Sequence, residues 1–304
     1  MEFKLHDHKY ELKGNFQHAA NCIKLSLELL GYTETKNDNA DLHVYNHTCR
    51  DLEPDMPENS IIFKPTAPTS KHFQICTLGY ANSSEITFKL PVDYIYRKHT
   101  IAEWDGIQDL VKARANKWDD SILLKFKDVK NVKDDHILVI GQMPDDETVN
   151  GFGFRGHLDR IDMILDKLKG ENVVLKLHPR FKPKTQPEAL FLRKWEGMDI
   201  QILKGYGSIH SVLPKTRVAI VDNSTAGIEC MMHDVPIISY GYPDYHWRTI
   251  DLRSLTQLKG FINSIPGPDF IPNKELTRRY LCWYIYEYLC SDINTTVNRL
   301  KKIL

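Results

Sequence analysis

No stretch of this chain approaches the roughly 18 apolar residues that a membrane-spanning helix requires, and its opening, Met1-Glu2-Phe3-Lys4-Leu5-His6-Asp7, has no apolar core of a secretory signal. The sequence predicts a cytoplasmic protein with no transmembrane segment; peripheral association with a membrane surface is compatible with it. Excess charge of either sign is also missing. Lys+Arg and Asp+Glu both number 40, so the formal charge is zero, which excludes a global field attracting nucleic acid and requires any anion to be gripped locally. The six cysteines, Cys22, Cys49, Cys76, Cys230, Cys282 and Cys290, form no Cys-x-x-Cys pair and have no histidine at zinc spacing. They are expected to be reduced, mostly buried thiols rather than zinc ligands. Repeats and low-complexity tracts are lacking too.

What is present suits a globular enzyme. At 304 residues with 42% hydrophobic and 26% charged side chains, the chain can fill two medium cores. Asn15 is placed to cap a helix carrying Ala19, Ile23, Leu27 and Leu30 on one face and closed by Gly31. Strands are predicted at Leu42 to Tyr45 and Ser60 to Phe63, and Thr77 to Phe88 mixes turn and strand signals. A lysine-rich stretch from Lys112 to Asp135 precedes the apolar run Ile137-Leu138-Val139-Ile140-Gly141 and marks a domain boundary. Beyond it the alternation sharpens: strand 137–140, helix His157 to Lys169, strand Val173 to Leu177, helix Pro187 to Trp195, strand Ile200 to Leu203, strand Val218 to Val221, helix Ala226 to Met232, strand Val235 to Ser239. Short β-branched runs alternating with helices imply an α/β fold with a parallel sheet covered on both faces. Lys274 to Leu304 reads as packing helices, with Leu276, Tyr280, Leu281, Tyr284, Ile285, Tyr288 and Leu289 at helical spacing. The expected division is an α/β domain over 1–130, a Rossmann-like domain over 131–265, and C-terminal helices over 266–304.

Four segments carry candidate chemistry. Asp222-Asn223-Ser224-Thr225-Ala226-Gly227-Ile228-Glu229 follows a strand and opens a helix, a position suited to an anion, with Glu229 one turn in to accept from ribose hydroxyls. A plain helix cap at Ser224 or Thr225, with Glu229 facing solvent, accounts for the same pattern. Lys176-Leu177-His178-Pro179-Arg180 gathers cationic donors at a strand mouth, suited to a leaving phosphate, although a histidine there also serves structure. Gln142-Met143-Pro144-Asp145-Asp146-Glu147-Thr148 offers a carboxylate as base or nucleophile, or is a solvated acidic turn, or, given further ligands from elsewhere in the chain, a divalent-metal site. Tyr245 and Trp247, in the aromatic loop after Val235 to Ser239, can stack on a base or sugar or pack against the domain. All four segments follow strands of one inferred sheet, so they are expected on one rim.

This ordered set resembles the capsule-polysaccharide type of glycosyltransferase, the retaining β-Kdo transferases, whose motifs are a Gln-x-x-x-Asp-x-Ser loop, a Lys-x-His-Pro segment and a Ser-x-x-Gly-x-Glu helix start. Here they read Gln142 to Asp146 with Thr148 in the serine place, Lys176 to Pro179, and Ser224 to Glu229, with fainter likeness at Leu78-Gly79, Tyr245 and Trp247. The resemblance spans roughly residues 60 to 250. It implies a GT-B-like fold of two Rossmann-like domains facing a cleft, with the C-terminal helices packing back across. It further implies Asp146 as catalytic carboxylate, the nucleophile of a double displacement, with His178 as the second catalytic residue. Gln142, Lys176, His178, Arg180, Ser224, Thr225, Gly227 and Glu229 would hold the donor nucleotide, and Asp145, Tyr245 and Trp247 would contact sugar or base. The donor would be a CMP- or UDP-linked sugar, the acceptor a glycan, and no metal or other cofactor would be needed. Two departures stand out: the acidic Glu-Asp-Gly-Phe stretch of the family is replaced around Phe63-Lys64-Pro65-Thr66, and Thr148 stands for serine.

Two other functions share parts of the pattern. A teichoic-acid-type glycerophosphotransferase also has a His-Pro segment and an Asp-x-Ser-Ser turn, with His178 then acting as base. A non-catalytic glycan- or nucleotide-binding protein would keep the fold alone.

Overall fold

The computed structural model describes residues 1–7, 10–88, 101–118, 120–150, 156–265 and 273–304. The expected boundary between 265 and 266 abuts residues 266–272, which lie outside the described residues. The chain divides into two compact units, Met1–Leu123 with Arg279–Leu304, and Leu124–Arg278. Residues 279–304 therefore group with the N-terminal unit.

In the first unit the elements run β1 (Glu2–Leu5), α1 (Asn15–Leu29), β2 (Thr33–Glu34), β3 (Leu42–Asn46), β4 (Ser60–Pro65), β5 (Phe73–Cys76), α2 (Glu85–Phe88), α3 (Ile101–Lys112) and α4 (Asp120–Leu123). The sheet order is β2-β1-β3-β4-β5, parallel except for β5. Ala19, Ala20, Ile23 and Leu27 lie on one stripe of α1 and bury against Val44, Ile61 and Phe63 of the sheet. Asn15 is not the cap of this helix. It is the first helical residue and its Nδ2 donates to the Lys117 carbonyl, while Gly14 takes the cap position with a φ of 55° that glycine adopts readily. Thr77 to Phe88 contains no strand; it holds a 3₁₀ turn and α2.

The second unit runs β6 (His136–Ile140), α5 (Glu147–Asn150), α6 (His157–Lys167), β7 (Val173–Lys176), α7 (Gln186–Glu196), β8 (Ile200–Leu203), β9 (Thr216–Val221), α8 (Ala226–Met232), β10 (Ile237–Ser239), β11 (Ile250–Asp251), α9 (Leu258–Ser264) and the start of α10 (Lys274–Trp283), whose residues from Arg279 on belong to the first unit. A π-helical turn at Tyr284–Tyr288 and α11 (Ile293–Ile303) follow, and Leu300 of α11 joins the core around α1 in the first unit. The second sheet is parallel throughout, in the order β11-β10-β9-β6-β7-β8. Every residue of β6 is buried because the strand is central and covered on both faces. Ile137 and Val139 share a core with Ile161, Ile164 and Leu165 of α6 and Phe191, Leu192 and Trp195 of α7. Each such side chain contributes about 1.5–3 kcal/mol by leaving water. α7 starts at a capping box in which Thr185 and Glu188 satisfy each other's backbone N–H groups.

Counted within the second unit, the strand order is that of dinucleotide-binding folds, 3-2-1-4-5-6. The chain leaves β6 toward β7 and β8, then returns past β6 to β9 and continues toward β10 and β11. The direction reverses between β6 and β9, and outside the carboxyl ends of those two strands such sheets hold their ligands.

Candidate functional site

The four candidate loops follow β6, β7, β9 and β10, which are neighbours in the order β10-β9-β6-β7 and run in one direction. They open on one edge, with the switch point between the acidic loop and the Ser-Thr loop. Gly141 N–H donates to the Lys176 carbonyl at 2.8 Å, which ties the β6 exit to the β7 exit. Across the switch point the Gln142 side chain is clasped to Asn223. Its Nε2 donates to Asn223 Oδ1 at 2.7 Å, and its Oε1 accepts from Asn223 N at 3.1 Å. Asn223 Nδ2 then donates to the Thr148 carbonyl at 3.2 Å.

The three acids of the β6 loop differ in setting. Asp145 is exposed and lies 3.6 Å from Lys184. Asp146 is half-buried, and its Oδ1 accepts from both the Thr148 N–H at 3.0 Å and the Thr148 hydroxyl at 2.7 Å. Glu147 opens α5. The Thr148 amide and hydroxyl together fix the rotation of Asp146.

On the β7 side, Lys176 is buried, its ammonium pushed down to about 8 by loss of hydration, with the Glu229 carboxylate pulling the other way. Lys176 and Glu229, from two different strand exits, are therefore close enough to feel each other. His178 is half-buried and its Nδ1 accepts from the Arg180 N–H at 3.2 Å; Arg180 is exposed.

In the β9 loop, Ser224 Oγ accepts from the Ala226 N–H at 3.2 Å, so Ser224 has the capping role that its position allowed. Thr225 makes no side-chain cap. Glu229 is buried rather than turned to solvent. Gly227 has a structural cause: a Cβ there would fall inside the Tyr245 ring and hydroxyl. Tyr245 is 1% exposed, and its hydroxyl donates to the Ser224 carbonyl, so it braces the loop from beneath. Trp247 is exposed at the edge, its ring tilted against His246 at 4.3 Å.

Beneath the switch point lies a buried network absent from the sequence expectations. Asp222, at the exit of β9, accepts through Oδ2 from Arg160 Nη2 at 2.6 Å and lies 3.3 Å from His157 Nδ1. His157 Nε2 accepts the Gln142 N–H at 2.8 Å, and Arg160 Nη2 also donates to the Val149 carbonyl at 2.7 Å. His157 and Arg160 sit three residues apart on α6 and so share a face. The available signal was a His-x-x-Arg pair leading into the apolar stripe Ile161, Ile164 and Leu165. Gly241 is required above the network because a Cβ would overlap Asp222 Oδ1. A cavity of about 340 Å³ opens beside it, lined by the apolar Met163, Ile164, Leu252 and Leu255 and by the polar Arg160, Tyr240, Arg253 and Ser254. Its walls contain none of the expected donor-binding residues.

Among the described residues no helix is long and apolar enough to cross a membrane. The six cysteines are free and buried.

The fold is shared with two solved structures of Thermosulfurimonas dismutans KpsC. Thermosulfurimonas dismutans KpsC, beta Kdo 2,4 transferase, is 14% identical with a TM-score of 0.59, over 99% of this chain and 98% of the other. The beta Kdo 2,7 transferase of the same protein is 12% identical with a TM-score of 0.53, over 99% of each chain. A search of curated protein sequences returned no significant match. The family model for capsule polysaccharide biosynthesis proteins matches residues 79–254. That match takes in all four loops and the switch point between them, and it covers more than half of the sequence: the chain belongs to the capsule polysaccharide biosynthesis protein family.

Proposed function

We propose that this protein is a glycosyltransferase of capsule polysaccharide synthesis that moves a sugar from a CMP- or UDP-linked donor to a glycan acceptor. The observation that carries the proposal is convergence: the acidic, Lys-x-His-Pro and Ser-x-x-Gly-x-Glu segments sit on adjacent strand exits around the switch point, all within the stretch that matches the family. Lys176, His178 and Arg180 offset the charge of the leaving phosphate, with Glu229 on the ribose hydroxyls. Asp146, held by Thr148, attacks the anomeric carbon as the phosphate bond breaks. An acceptor hydroxyl then displaces the carboxylate with loss of its proton, and two inversions give net retention. The fold of two Kdo transferases supports this assignment. Free, buried cysteines suit a cytoplasmic location, where thiols stay reduced.

The test is a thermal-shift and donor-consumption screen with CMP, UDP, GDP, CDP, their sugars and CDP-glycerol, in the presence of capsule-type glycan acceptors and each with and without EDTA. One nucleotide family should raise the melting temperature by mass action, and its sugar should be consumed equally in EDTA. Consumption of CDP-glycerol alone, or binding without turnover, refutes sugar transfer.

Lys176 gives a second test. Its pKa of about 8 in the folded protein lies below the unfolded value near 10.5. The cost of burying the charged form is therefore present below pH 8 and is relieved as pH rises toward 10.5. The unliganded protein should gain stability over that window, and Lys176→Met should flatten the gain. A bound phosphate recharges the lysine, so nucleotide binding near pH 8 should be accompanied by proton uptake. Calorimetry in buffers of different ionisation enthalpy measures this; zero uptake would place the phosphate away from Lys176.

A further inference from the structure

We infer that His157 is a positioning residue for sugar transfer, acting on Asp146 through the backbone of Gln142; this rests on the reading of Asp146 as the reacting carboxylate. His157 is 1% exposed, and both of its ring nitrogens have assigned tasks. Nε2 accepts the Gln142 N–H at 2.8 Å, which requires the ring hydrogen to be on Nδ1, where Asp222 Oδ2 lies at 3.3 Å. Asp222, itself held by Arg160 at 2.6 Å, thereby selects the tautomer that can hold the loop.

The loop so held carries the reacting group. Its first residue, Gln142, is anchored at the backbone by His157 and at the side chain by Asn223. Its far end is anchored where the Val149 carbonyl accepts from Arg160 at 2.7 Å. Between the anchors, Asp146 N–H donates to the Met143 carbonyl at 3.1 Å and closes a turn that sets the carboxylate's position. Asp146 thus hangs between two contacts made by one face of α6, and both α6 side chains meet at one carboxylate from β9. A histidine that only filled core volume would not need an acceptor nitrogen directed at a loop amide. Losing that acceptor leaves a buried N–H unpaired or lets the loop move, and a shift of about 1 Å at a reacting group costs up to about 10²-fold in rate.

Two near-isosteric variants separate positioning from bulk. In His157→Gln the amide oxygen reaches the Nε2 position and can accept from Gln142. In His157→Asn the shorter amide reaches only toward Asp222. With the donor identified by the screen and its acceptor, His157→Asn should lower kcat by roughly 10- to 100-fold with donor KM within about 3-fold, and His157→Gln should recover most of the rate. Hydrogen exchange of the Gln142 amide should quicken at least about 10-fold in His157→Asn and stay protected in His157→Gln. In the wild type, NMR should show a coupling across the hydrogen bond between the Gln142 amide nitrogen and His157 Nε2. Equal kcat in the two variants, unchanged exchange in His157→Asn, or no such coupling in the wild type overturns the inference. Exchange and coupling need no turnover, so they report on His157 even if sugar transfer is refuted, and full activity in Asp146→Asn would remove the reacting carboxylate while leaving the anchor observable.

Discussion

Asp146→Asn is expected to lower kcat by about 10³-fold or more while nucleotide binding and folding stay close to wild type. Deleting a group that forms or breaks bonds in the transition state typically costs this much or more. Asn keeps an oxygen in the Oδ1 position, so the two hydrogen bonds from Thr148 survive and the loop keeps its turn. What is lost is the anionic oxygen that must reach the anomeric carbon. The neighbouring acid is the control: Asp145 is exposed and paired loosely with Lys184, so Asp145→Asn should change kcat by less than about 3-fold. Initial rates, with the thermal shift produced by the nucleotide, decide the matter. A slow Asp146→Asn enzyme that still binds nucleotide supports the nucleophile, and mass spectrometry of the wild type during turnover should detect a glycosyl group on the peptide containing Asp146. A variant as active as wild type removes Asp146 from the chemistry.

The second unit's sheet is legible in the sequence because parallel strands buried on both faces must be apolar throughout, and Ile137-Leu138-Val139-Ile140 and Val218-Ala219-Ile220-Val221 can be little else. β1 gives no such signal, since of Glu2-Phe3-Lys4-Leu5 only Phe3 is buried. The shared rim of the four loops is likewise legible, because right-handed crossovers in a parallel sheet put every strand exit on one side. Contacts between distant segments are not. Tyr245 after a strand looks the same whether it greets a ligand or fills the space left by Gly227, and the choice is made by the packing of the β10 exit under the β9 exit. Gln142 reads as a polar group available to a donor until its amide is found clasped to Asn223. His157 and Arg160 look like ordinary helix-start polarity, and only the return of the chain through β9 brings Asp222 between them.

That buried carboxylate sets the largest expected stability effect. Asp222→Ala should destabilise the second unit by about 3–5 kcal/mol, because it leaves the Arg160 guanidinium, 6% exposed, without the anion that offset its desolvation. For a unit of this size the loss corresponds to a fall of roughly 10 °C in its melting temperature. Arg160→Met should cost less, since Asp222 keeps the His157 contact and the thioether fills part of the space. The double variant Asp222→Ala/Arg160→Met should be markedly more stable than the sum of the two losses predicts, because neither residue then leaves a buried charge behind. Denaturant unfolding of the four proteins, followed by a probe in the second unit, gives the coupling. Additive losses would mean that water reaches the pair and that the network is not the dry support on which the placement of both loops depends.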